Sequence, residues 1–103
     1  MNIIWTDKAD ELLAEIAEFI LLVYGETAHN KFLSEVYETV LLLATNPYMG
    51  KIEPSLSDHS ICYRSIVVNH INKVVYIAEE ESIVVVAIWD CRRDPYYLAS
   101  NIE

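Results

Sequence analysis

Seven consecutive apolar residues, Ile83 to Trp89, are followed directly by Asp90, Cys91, Arg92, Arg93, Asp94, Pro95, Tyr96 and Tyr97. No other stretch restricts the possible folds so strongly. Seven residues is strand length, and a run without polar interruption suits a strand covered on both faces. Any sheet this chain builds must hold that segment in its interior. Two of the chain's three arginines then stand at the mouth of its most buried element, beside two phenols. Guanidinium groups and aromatic rings delivered by a rigid strand suit an anion or nucleotide site. The same residues also have a plain structural reading, in which Arg92 and Arg93 pair with Asp90 and Asp94 and the tyrosines pack as a strand end.

A chain of 103 residues supports one continuous core and not two, so residues 1–103 are read as a single domain. Hydrophobic residues make up 53% and charged residues 22%, which argues for a folded globule and against disorder. A net charge of −9 repels nucleic acid overall, which excludes non-specific DNA coating and confines any nucleic-acid contact to a local patch. The N-terminus has no signal-peptide pattern, and no apolar run approaches the roughly 18 residues of a membrane span. A cytoplasmic, reduced protein with no membrane contact is expected. Cys62 and Cys91 lack zinc-site spacing, and His29, His59 and His70 are scattered. There is no glycine-rich phosphate loop and no serine in a nucleophile elbow. No metal or cofactor is therefore expected, and any catalysis must rest on cations, phenols and a carboxylate or histidine.

Taken in order, Asn2 to Trp5 reads as a first strand at an edge. Thr6 is a helix N-cap, with Asp7, Asp10 and Glu11 favouring the positive end of the dipole. Ala9, Leu12, Leu13, Ile16, Phe19, Ile20 and Val23 recur at helical spacing up to Tyr24, and Gly25 stops the helix. Thr27 caps a second helix that turns Ala28, Phe32, Leu33, Val36, Val40 and Leu43 inward and ends at Asn46 before Pro47. So short a linker forces an antiparallel hairpin. Residues 19–23 (FILLV) and 40–44 (VLLLA) carry more apolar surface than one buried face can use. Neighbouring elements should cover one of them and a partner the other. Asn46 to Ser60 is a loop. Ile61–Val68, Lys73–Ala78 and Ile83–Trp89 then form an antiparallel meander. The fold class is α+β, in the order β-α-α-β-β-β, an antiparallel sheet with a two-helix hairpin packed on one face. Cys62 and Cys91 fall at opposite ends of that sheet, about 20 Å apart, too far for a disulfide.

If Val68 faces Lys73 across the first hairpin, Arg64, Ile66, Val68 and Lys73 share one face, with Arg64 and Lys73 about 13 Å apart. Arg93 adds a third cation on one side of an otherwise acidic protein. Each of the three also has the plain reading of a surface ion pair.

Several segments carry a family resemblance: ADELLAEI in the first helix, NPYMGK after the second, and YRSIVVNHINKVVYIAEEESIVVVAIWDCRRDP across the meander. In this order they resemble the RelE/ParE superfamily, the toxin half of bacterial toxin–antitoxin pairs, also called plasmid stabilisation proteins. The resemblance covers nearly the whole chain. It implies a cognate antitoxin as partner, and as target either ribosome-bound mRNA, cut by a metal-independent endonuclease, or DNA gyrase. In the nuclease branch Arg64, Lys73 and Arg93 match cationic places and Tyr97 lies near the place of a phenol, with Arg92 and Tyr96 as substitutes. Ile66 stands where those nucleases prefer a second lysine, and the acidic charge is a second departure. The long hairpin is closer to the gyrase-directed ParE branch. A catalytically silent module that keeps the fold and only binds a protein is the alternative, and a homodimer is a further possible assembly.

Overall fold

The computed structural model describes residues 1–102. β1 (Asn2–Trp5) leads into α1 (Asp7–Tyr24) and α2 (Glu26–Thr45). Then come β2 (Lys51–Ile52), a single 3-10 turn (Pro54–Leu56), β3 (Arg64–Val68), β4 (Asn72–Ala78), β5 (Ser82–Asp90) and α3 (Pro95–Ile102).

Thr6 caps α1 as the sequence implies: its backbone is extended and its Oγ1 accepts from the Ala9 N–H at 3.1 Å. Gly25 ends the helix at φ 95°, its N–H donating to the Ile20 and Leu21 carbonyls. Such a φ suits glycine alone among common residues. Gly25 is also the N-cap of α2, so the linker is that one residue and Thr27 lies inside the helix, not at its cap. At the far end Asn46 closes α2, its N–H and Nδ2 both donating to the Leu42 carbonyl.

The sheet runs β1-β5-β4-β3-β2. β2 through β5 are antiparallel neighbours, whereas β1 pairs parallel to β5, from Asn2 opposite Ser82 to Trp5 opposite Val85. The sheet is thus mixed, where an antiparallel one was expected. The reason lies in the hairpin. The end of α1 lies beside the end of β5, and α2 brings the chain back to the opposite end, beside the start of β3. The meander therefore starts in the same direction as β1.

Both faces of the sheet are covered, and β5 is interior. Ala9, Leu13 and Ala17 of α1 and Phe32, Val36, Val40 and Leu43 of α2 pack on Val68, Val74, Tyr76, Ile83, Val85 and Ile88. On the other face Leu56, Tyr63, Val75, Ala87 and Trp89 pack with Leu98 of α3. That third helix has no counterpart in the sequence reading, which ends the last strand at Trp89 and assigns no element after it. Its signal was present: Asp94 Oδ1 accepts from the Tyr96 N–H at 2.9 Å, and Pro95 occupies the first helical position. The strand expected from Ile61 begins only at Arg64, and the expected loop holds β2. Both cysteines are free thiols at opposite ends of the sheet. Among the described residues no helix is long and apolar enough to cross a membrane.

Candidate functional site

Lys73 lies opposite Val67, and Val68 opposite Asn72, one residue out of the expected register. The Asn69 side chain sets that register by accepting from the Asn72 backbone N–H at 3.2 Å, with Asn69 and His70 both at positive φ. A one-residue shift moves a side chain to the other face of a sheet. Lys73 consequently points away from the side that holds Arg64 and Ile66.

There its Nζ meets Glu53 Oε1 at 2.6 Å. Glu53 is only 1% exposed, and it also accepts from Ser65 Oγ at 2.8 Å and from the Ser55 N–H and hydroxyl. Burial by itself would raise this carboxyl, but donation from Lys73, Ser55 and Ser65 outweighs it and holds the group at about 2. Lys73 thus fastens the loop after α2 to the sheet. Because Glu53 is depressed from 4.5 to about 2, its stabilisation is full above about pH 4.5 and is lost as pH falls through 2. Acid titration followed by circular dichroism should show Glu53→Gln less stable than the parent at pH 7. The gap between them should close towards pH 2.

Arg64 is a second fastener. Its Nη1 donates to the Gly50 carbonyl at 2.8 Å, and its guanidinium lies 5.0 Å from the Tyr48 ring centroid. On the same loop the Tyr76 hydroxyl accepts from the Gly50 N–H and donates to the Pro47 carbonyl. A Cβ at position 50 would come within 2.7 Å of that hydroxyl and 2.8 Å of the Ser65 carbonyl, so glycine is required there. Ile66, in the place of the expected second lysine, packs into the hairpin core.

The remaining site residues gather at the other end. Asp90 holds Arg92 through both carboxylate oxygens, with Arg92 Nη2 at 2.7 Å, and this bonding draws the Asp90 carboxyl below its ordinary range. Arg93 stacks over Trp89, 4.2 Å from the ring centroid. Tyr96 and Tyr97 are exposed on α3, edge to face at 5.6 Å. Arg64 faces Tyr76, while Asp90 at the end of β5 faces Asn72. Four residues of β4 separate those positions, about 13 Å, and β3 and β5 lie a further two strand spacings apart. Of the cations selected from the sequence, Arg64 thus stands apart, while Lys73, opposite Trp89, shares Arg93's end of the sheet with its amine held by Glu53.

A groove of about 630 Å³ lies instead between the end of the helical hairpin and the β3–β4 turn. Ile16, Phe19, Ile20, Tyr24, Phe32 and Ile71 make its apolar lining. Lys31, Arg92 and Arg93 supply cations, with Glu15, Glu35 and Asp90 beside them. Its outer lip stays uncovered: Phe19 is 54% exposed, Leu22 76% and Tyr24 69%. Neither apolar helix end is in fact covered within the chain, since Leu41 and Leu42 are exposed too. The sequence signalled this groove only through the FILLV surplus.

The family described as ParE toxin of type II toxin-antitoxin system, parDE, matches residues 3–95. The chain belongs to the ParE toxin family. The ParE match runs from β1 through the Arg92–Arg93 turn and stops where α3 begins. A solved structure described as the chromosomal ParDE TA system from P. aeruginosa shares the fold, with a TM-score of 0.69 and 19% sequence identity over 87% of this chain and 95% of that one. A comparison with curated proteins found no match.

Proposed function

We propose that this chain is a toxin neutralised by a cognate antitoxin seated in the hairpin groove, and that its target is DNA gyrase and not ribosome-bound mRNA. The engagement of the cations by structural partners carries the choice of target. Metal-free cleavage of a phosphodiester needs several donors converging on one developing charge. Here Arg64 holds the Gly50 carbonyl at one end of the sheet, and at the other Arg93 lies on Trp89, whose strand partner Lys73 is neutralised by Glu53. A net charge of −9 also opposes docking on ribosomal RNA. Arg93, Tyr96 and Tyr97 remain exposed and are assigned to contact with the target.

For the antitoxin, an apolar groove with arginines at its edge suits an amphipathic helix that carries apolar anchors and an acidic residue. Phe19 and Tyr24 are exposed aromatics of that groove, and losing such an anchor typically costs about 2 kcal/mol or more. Phe19→Glu should weaken antitoxin capture by about thirtyfold or more while the melting profile stays that of the parent.

Induced expression, with and without the antitoxin encoded beside it, tests the function. Growth arrest with a DNA-damage response, continuing translation and inhibited supercoiling by purified gyrase is the expected result. Rapid translation arrest with cut mRNA would overturn the choice of target. In that case Arg93→Ala and Tyr97→Phe should each reduce cleavage. Absence of toxicity would leave the silent binding module.

A further inference from the structure

Given the hairpin groove as the antitoxin's seat, on which this inference rests, we propose that the helix it takes is bipolar. An acidic residue of that helix meets Arg92 and Arg93 at the tip of the hairpin. A lysine or arginine two to three turns away meets Glu15 at the inner end.

The hairpin gives the groove two chemically different ends. Glu15 and Glu35 lie ten residues before and after Gly25, so in antiparallel helices joined at that residue they stand at one level. At 1.5 Å per residue, that level is about 15 Å from the turn. Phe19 and Lys31, each six residues from Gly25, share the middle, and Tyr24 and Ala28 lie at the tip. Arg92 interacts electrostatically with Tyr24, which places the arginine turn at the tip as well. The groove therefore runs from a pair of carboxylates to a pair of arginines.

What each charge already holds decides what is left for a partner. Asp90 binds Arg92 through Nε and Nη2, yet that side chain is 69% exposed and its Nη1 makes no hydrogen bond among the described residues. Arg93 lies on Trp89 and has no carboxylate partner among them. Lys31 engages Glu35 only loosely, at 4.0 Å. Glu15 is exposed and has no cationic partner among the described residues. Three cations and three carboxylates line the groove, so it offers little net attraction to a polyanion. A helix bearing acidic residues alone would set one of them against Glu15. A helix with acid at one end and base at the other answers both free charges while its apolar residues reach Phe19 and Ile20. The same complementarity fixes the direction in which it lies, because the reversed helix brings like charges together.

Titration of the intact chain with the purified antitoxin encoded beside it, at low and high salt, tests the proposal. Glu15→Gln should raise the Kd by about threefold at low salt, and Glu15→Lys by about tenfold or more. Both gaps should shrink towards 1 M salt, where the Debye length is about 3 Å. Glu38→Gln removes the same unit of charge from a part of α2 outside the groove and should leave the Kd unchanged. The sign of the Glu15→Gln effect is decisive, since a partner with acidic residues alone would bind more tightly once that carboxylate is gone. A tighter or unchanged Kd for Glu15→Gln, with Phe19→Glu still weakening capture, would overturn the bipolar helix and leave the groove as the seat. If Phe19→Glu also fails to weaken capture, the seat itself is wrong and this inference falls with it.

Discussion

Val85→Asp is expected to leave no folded protein. Val85 is fully buried in the middle of β5, with Trp5 opposite it on one side and Tyr76 on the other. Ala9, Val36 and Val74 are among the apolar residues of the same cluster. A carboxyl group placed there must either ionise without a partner or stay protonated without one. Burying such a group costs several kcal/mol, against a total of about 5–15 kcal/mol for an ordinary domain. Far-ultraviolet circular dichroism and a melting curve read the outcome. Val67→Asp is the control. Val67 lies on β3, in the same sheet, but is 54% exposed, and an exposed change is usually worth within about 0.5 kcal/mol. A soluble Val85→Asp that melts like the parent would mean that β5 is not interior.

Lys73→Ala should have the second-largest effect, although lysine substitutions are usually mild. Removing the amine leaves Glu53 buried with only Ser55 and Ser65 as donors. Breaking a buried pair from one side typically costs about 3–5 kcal/mol. Replacing both members with apolar residues, as Glu53→Leu with Lys73→Met, removes the charge along with its partner and should cost far less than the two single changes together. Urea unfolding of the parent, both single variants and the double variant closes that cycle. If Lys73→Ala loses no more than about 1 kcal/mol, as for an exposed pair, the pairing is not embedded as described.

These two residues show how differently two parts of the chain could be read beforehand. Val85 was legible because burial on both faces of a strand requires a continuous apolar run, and that run is local in sequence. The hairpin was legible for the same kind of reason. Its apolar spacing, the Thr6 cap and the Gly25 stop are properties of adjacent residues. α3 had its own local marker in Asp94 and Pro95, but the sequence reading assigned no element beyond Trp89.

Lys73 was read onto the wrong face because register depends on which backbone group a turn side chain binds. Asn69 reaches Asn72, and that single choice turns Lys73 towards Glu53, twenty residues away in sequence. Arg64 is similar, since its partner carbonyl at Gly50 lies fourteen residues earlier. The groove draws on α1, α2, the β3–β4 turn and the end of β5, so no one segment announces it.

The sequence by itself determined the order of the first strand, the hairpin and the three-strand meander, the interior strand and the resemblance to the RelE/ParE toxins, because each rests on periodicity or on neighbouring residues. Only the tertiary structure decided what each cation does. An ion pair or hydrogen bond acts within about 3–4 Å, and a one-residue slip along a strand moves a side chain by about 3.3 Å and to the opposite face. The difference between a site cation and a buried fastener is therefore as small as one step of register.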